Sequence, residues 1–192
     1  MNKNLKIIFI LFFVSAMVAS FGFFIKSQNS NFKKTTQRLQ IINQLSNMFI
    51  LSPAFLNGNQ IPDKYGCHGQ DINPPLEFSG VLQETKSLVL IVDDPDAPSG
   101  DWVHWLVFNI NPQIAGISEN AIPAGATVGL NSFGNEIYEG PCPSSGTHRY
   151  HFKLYALDTF LNLSASAEKS DVLLAMDKHI LTQADLMGTY SR

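Results

Sequence analysis

Acidic residues are missing from the first 50 positions of this 192-residue chain, cysteine and tryptophan occur twice each, and only 15% of residues are charged. Each shortage excludes something. Two cysteines, Cys67 and Cys142, are too few for a disulfide-built scaffold and lack the paired spacing of a zinc site. No G-x-S-x-G elbow and no H-E-x-x-H pair is present, which removes the usual signatures of serine hydrolases and zinc peptidases. Internal repeats are absent. Beyond residue 50, seven Lys and Arg stand against sixteen Asp and Glu, so no basic face exists to exchange counterions with a phosphate backbone. Nucleic acid is therefore excluded as a partner. What is present, 45% hydrophobic residues over this length, suits one compact domain with a core of its own.

The acid-free start has its own logic. Lys3 and Lys6 precede an uncharged apolar run from Ile7 to Ile25, the pattern of an export signal, with small residues at Ala16, Ala19, Ser20 and Gly22 as cleavage options. The run is also close to the length of a single membrane anchor, and Lys26, Lys33 and Lys34 follow it. Residues 1–25 are thus read as a signal peptide or a retained transmembrane anchor. The protein is expected to be exported, either periplasmic or secreted, or held in the inner membrane by residues 7–25. Residues 26–50 begin polar and place Leu39, Ile42, Leu45 and Phe49 at near-helical spacing, which predicts a tether followed by a short amphipathic helix. The body is expected over 51–192.

In the body, turn signals at Ser52-Pro53, Asn57-Gly58, Pro74-Pro75, Pro95 to Gly100, Pro123 to Gly125 and Gly140 to Gly146 cut the chain into short segments. Leu88–Val92 is a continuous aliphatic run, the mark of a strand buried on both faces. Period-two geometry puts Trp102, His104, Leu106 and Phe108 on one face of the next strand, and His148, Tyr150, Phe152 and Leu154 on one face of a later one. A helix is predicted over Ala167–Thr182, with Val172, Leu173, Met176 and Ile180 facing inward. Short strands at regular turn spacing and one late helix give a mostly β domain.

Three loops at strand ends concentrate chemistry. The first, Asp93-Asp94-Pro95-Asp96-Ala97-Pro98, is a stiff acidic corner; the second is Trp102-Val103-His104; the third runs from Gly140 through Pro141 and Cys142 to His148, Arg149 and Tyr150. Each alone reads as a turn or a core histidine. Together they supply imidazoles, a phenol and a glycine-rich backbone, the donors that a small anion needs, with Asp94 or Asp96 available to orient His104 or His148.

At these residues the sequence resembles the phosphatidylethanolamine-binding proteins, and most closely the bacterial YbhB/YbcL, Raf kinase inhibitor-like branch. DDPDAP, WVHW and GPCPSSGTHRYHFKLYALD carry the resemblance, supported by Ser52-Pro53-Ala54-Phe55, Asp71-Ile72-Asn73-Pro74-Pro75-Leu76 and Leu186-Met187-Gly188-Thr189-Tyr190. The resemblance implies a large antiparallel sheet packed with a smaller one, few short helices, and a pocket at one end for anions such as the phosphate of a phospholipid head group. Carried over residue by residue, the ligand-binding set is Asp94, Asp96, Trp102, His104, Gly140, Pro141, His148 and Tyr150. Arg149, on the alternate strand face, is expected to be a structural ion-pair partner.

The function expected is a binding module without cofactor or metal, taking a small anionic or phosphorylated ligand and regulating a protein partner. Two rivals remain. An Asp/His pair could serve a hydrolase by acid–base catalysis, and an inhibitor could act through its surface without the pocket. The pairing of Cys67 with Cys142 stays open, since an exported location permits a disulfide without requiring one.

Overall fold

The computed structural model describes residues 32–34 and 47–192. The expected export segment lies outside the described residues, as do Leu39, Ile42 and Leu45 of the expected amphipathic helix. Phe49, the last position of that helical pattern, stands instead in strand β1 (Phe49–Leu51), where Ile50 is buried and its two neighbours are exposed. Met48 also enters the core, so the domain starts ahead of Leu51. Alternate burial reads from the sequence as helical spacing whenever apolar residues also occupy the exposed positions.

A small sheet joins β1, β2 (Leu76–Ser79) and β5 (Gly116–Ile117), all antiparallel. The large sheet has the order β6 (Thr127–Val128), β4 (Trp102–Ile110), β3 (Ser87–Asp94), β7 (Thr147–Leu157) and β8 (Ile180–Ser191), again antiparallel throughout. Residues 47–192 hold little helix: a 3-10 turn at Asp63–Tyr65 and α1, Lys169–Met176. The mostly β architecture with a large and a small sheet is the one expected.

β3 is buried along its whole length, because it is central and both of its faces are covered. Leu88, Leu90 and Val92 face a core shared with Ile50, Leu76, Phe78 and Ile117 of the small sheet. Val89 and Ile91 face a second core with Leu106, Phe108, Leu157 and the helix residues Val172 and Met176. At about 25 cal/mol per Å² of apolar surface removed from water, these two layers supply the main driving force for folding.

Two β-bulges in β4 alter the expected face assignment. Val92 pairs with Trp105 and Asp93 with Val103, leaving His104 as the extra residue; a second irregularity includes Asn109, whose φ is +57°. A bulge lets neighbouring residues share a face. Trp105, Val107 and Ile110 therefore join the first core, whereas Leu106 and Phe108 turn to the second. The strict alternation that grouped Leu106 and Phe108 with His104 is overturned.

The late helix is shorter than predicted. It ends at Met176, Lys178 adopts φ +65°, and Ile180 begins β8. Val172 and Met176 are buried as expected; Leu173 is exposed. A capping box between Glu168 and Asp171 fixes the start, where the Asp171 side chain accepts from the Glu168 backbone N–H at 3.0 Å.

Candidate functional site

Antiparallel pairing brings the three loops together. Asp93 sits opposite Val103 on β4 and opposite His151 on β7, so the end of β3 meets the starts of β4 and β7 at one edge of the sheet. Asp94, His104, His148 and Tyr150 are all buried there.

The acidic corner divides among three tasks. Asp93, fully buried, points to the opposite face, where the Lys153 ammonium lies 2.7 and 2.8 Å from its two oxygens and Lys169 Nζ lies 2.5 Å away. Asp94 turns to the site: its Oδ2 is 2.7 Å from His148 Nδ1 and its Oδ1 accepts from the Asp96 backbone N–H at 2.8 Å. Asp96 instead engages Arg149, accepting from the guanidinium at 2.6 and 2.8 Å and from the Arg149 backbone N–H at 2.9 Å. The guanidinium hydrogen bonds hold the Asp96 carboxyl down at about 2, and the carboxylate in turn raises the Arg149 pKa. Arg149 is thus the structural ion-pair partner expected, and Asp96 belongs to that pair.

His104 is oriented by main chain. A carbonyl oxygen can only accept, so His104 Nδ1 carries a proton and donates it to Glu139 O at 2.6 Å. In the return direction the Glu139 backbone N–H donates to His104 O at 3.1 Å. Burial lowers the His104 pKa below the ordinary imidazole value, so near neutral pH its Nε2 is a lone-pair acceptor.

Tyr150 lies between the two imidazoles. Its ring is edge-on to His104 at 5.2 Å and stacked with His148 at 6.5 Å. Its hydroxyl is buried and makes no hydrogen bond of full geometry, with the Asp94 carboxylate and the Cys142 backbone as polar neighbours. Burial, followed by the negative charge of Asp94, raises the phenol pKa, so the group stays a protonated donor.

Gly140 and Pro141 form a braced rim. The Gly140 N–H donates to Asp71 Oδ1 at 2.6 Å, so it is occupied rather than free for an anion. A Cβ at Gly140 would lie 2.1 Å from Tyr65 O, which leaves room for glycine alone. Pro141 O accepts from the Cys67 backbone N–H at 3.1 Å, and the next residue, Cys142, forms a disulfide with Cys67. Tyr138 OH donates to Tyr65 O at 3.0 Å. The rim is thus fastened to the 63–71 segment at four points.

Sequence reasoning missed Asp71, Glu139 and Phe133. Asp71 and Glu139 act through a backbone N–H and a carbonyl, contacts that no motif spacing encodes. Phe133 packs edge-on against Trp102 at 5.3 Å and against His104 at 5.9 Å while staying 48% exposed. An aromatic within Asn131-Ser132-Phe133-Gly134 was the available signal. Tyr190 is buried beside Gly66, and its hydroxyl lies 3.3 Å from His68 Nδ1. Among the described residues no three His, Cys, Asp or Glu side chains come together as a metal site, and no helix is long and apolar enough to cross a membrane.

Comparison with known proteins gives one consistent result. The family model described as Phosphatidylethanolamine-binding protein matches residues 51–191. A UPF0098 protein of Methanothermobacter thermautotrophicus is 50% identical over 150 residues, covering 76% of this chain and 99% of the relative. The crystal structure of a phosphatidylethanolamine-binding protein homolog from Chlamydia trachomatis is 46% identical, with a TM-score of 0.74, covering 77% of this chain and 99% of that one. Escherichia coli YbcL, a member of the mammalian PEBP family, is 29% identical with a TM-score of 0.72 over 76% of this chain and 99% of its own.

Proposed function

This chain belongs to the phosphatidylethanolamine-binding protein family, and on that premise we propose that its pocket binds the phosphoryl or carboxylate group of a small ligand, a phospholipid head group included, rather than catalysing a reaction. The observation that carries the reading is the convergence of the buried Tyr150 phenol with two imidazoles, His104 edge-on to it and His148 stacked with it, beside the Asp94 carboxylate. A ligand oxygen that reaches the phenol gains a hydrogen bond worth about 0.5–1.5 kcal/mol.

The imidazoles set the pH response. His148 gives one N–H to Asp94, and His104 gives one to Glu139; each meets an anion with its other ring nitrogen, which donates only when the ring is protonated. Anion binding is therefore coupled to proton uptake, and affinity rises as pH falls. Trp102 forms a side wall, while Gly140 and Pro141 shape the rim. Both thiols are consumed in the Cys67–Cys142 disulfide, which leaves a hydrolase reading without a sulfur nucleophile. The module works without cofactor, reaches its protein partner through a phosphorylated or carboxylated group, and acts outside the cytoplasm, the location favoured by the basic and apolar start of the chain.

The test is titration with acetate and with inorganic phosphate at pH 6 and pH 8, following the side-chain resonances of His104 and His148 by NMR. Saturable shifts of both, tighter for acetate at the lower pH, are expected. Imidazole resonances that stay in place would overturn the proposal.

A further inference from the structure

Phe133 is an apolar ring left half in water on a loop held with unusual care. Ser132 pins the loop to β4 in both directions: its N–H donates to Val103 O at 2.9 Å, and its Oγ accepts from the Val103 N–H at 2.8 Å. The buried Asn131 holds the turn from inside, its Oδ1 accepting from the backbone N–H groups of Phe133 and Asn135, each at 3.0 Å. Its Nδ2 donates to Ile137 O at 3.1 Å and to Glu139 Oε2 at 2.6 Å. Gly134, at φ +84°, supplies the left-handed position the turn requires. Exposed aromatics on loops are ordinarily free to turn; this one is preorganised, and the hydrogen bonds that fix it end on the residue whose carbonyl orients His104.

We infer that Phe133, with Trp102, is a specificity wall at the mouth of the pocket, selecting ligands whose anionic group is carried on an aromatic ring. The inference rests on the anion-binding reading above and names the ligand class within it. Geometry favours a ring over other apolar groups. Phe133 stands at 83° to Trp102 and 69° to His104, so its neighbours use edge-to-face contacts and leave part of its surface for a further aromatic partner. A bare inorganic anion reaches His148 and Tyr150 but leaves this surface wet. An aryl phosphate satisfies both regions at once.

The experiment compares inorganic phosphate, cyclohexyl phosphate and phenyl phosphate by calorimetry on the wild-type protein, Phe133→Ala and Phe133→Leu, with thermal unfolding as a check that each variant is folded. In the wild type, phenyl phosphate is expected to bind about tenfold tighter than inorganic phosphate, the scale of one well-placed aromatic contact plus its buried area. Phe133→Ala removes that advantage, so that phenyl phosphate and inorganic phosphate bind the variant alike. Phe133→Leu keeps apolar area and loses the preference of phenyl over cyclohexyl. Equal binding of phenyl and inorganic phosphate, or a phenyl preference that survives in Phe133→Ala, would overturn the wall alone. Failure of the wild type to bind any of the three would overturn the anion site as well.

Discussion

Asp94 and His148 form a buried carboxylate–imidazole pair, Oδ2 to Nδ1 at 2.7 Å, with the remaining Asp94 oxygen tied to the Asp96 backbone. The pair fixes which ring nitrogen of His148 is left for the proposed anion site. Asp94→Asn keeps the shape and removes the charge; its amide can also donate to Nδ1 and reverse the ring's polarity. Hydrogen bonds to charged groups are worth about 1.5–3 kcal/mol, so anion affinity is expected to fall about 10- to 100-fold, with a stability loss of similar size. Calorimetric Kd values and urea midpoints measure the two effects separately. An unchanged Kd for acetate would show that Asp94 serves the fold only.

Tyr150 separates function from stability in the opposite way. Its hydroxyl is buried and makes no hydrogen bond of full geometry, with Asp94 and the Cys142 backbone as polar neighbours, so Tyr150→Phe removes a poorly satisfied polar group. Stability is expected to hold or rise by about 1 kcal/mol, while anion binding weakens about fivefold or more through loss of a neutral donor. Denaturant unfolding and an acetate titration on the same sample decide it. A destabilised variant with full affinity would show that the hydroxyl has a structural role.

Most of the fold was legible because it follows periodicity. β3 announced itself as an aliphatic run, and His148, Tyr150, Phe152 and Leu154 alternate as a strand face should. β4 was misread past His104 because a bulge is a backbone event with no side-chain signature in WVHWLVFNI. β8 was partly absorbed into the predicted helix, since ILTQADLMGTYS alternates weakly and Ile180 happens to continue the helical spacing. Asp94, His104, His148 and Tyr150 come together because the segments that hold them fall at paired ends of β3, β4 and β7. What eluded sequence reasoning is the bracing: Asp71 on the Gly140 N–H, Glu139 on His104, and the turn that holds Phe133. Such contacts join main chain to side chain across long separations, and spacing carries no trace of them.

The Cys67–Cys142 disulfide closes a loop spanning 75 residues and lies next to Pro141 on the rim. Restricting the unfolded chain over a loop of that size contributes about 4–5 kcal/mol on the chain-entropy account. Cys67→Ser/Cys142→Ser is therefore expected to lower the free energy of unfolding by that amount. The Pro141–Cys67 backbone hydrogen bond and the Gly140–Asp71 contact remain, so the rim should keep its course and anion affinity should fall less than threefold. Urea denaturation with and without a thiol reductant gives the first quantity, and a phosphate titration of the double variant gives the second. A large affinity loss with little change in stability would make the bridge a pocket element instead of a staple.

Asp96 and Arg149 provide a pH test away from the ligand. The Asp96 carboxyl is held at about 2 by the guanidinium, below the value of about 3.9 for an unpaired aspartate. The native state thus binds this proton less readily than the unfolded chain does. Its contribution to stability is fully present above about pH 4 and is lost as pH falls through about 2. Arg149 is mostly exposed, so the pair is screened and contributes little at neutral pH. Arg149→Met is expected to be slightly less stable than wild type at pH 6, and the two curves should converge near pH 2. Carbon-13 titration of the Asp96 carboxyl supplies an independent check, since its midpoint should rise toward the unpaired value in the variant. A midpoint unmoved by the substitution would mean that the Arg149 backbone N–H, which remains in Arg149→Met, holds the carboxyl down.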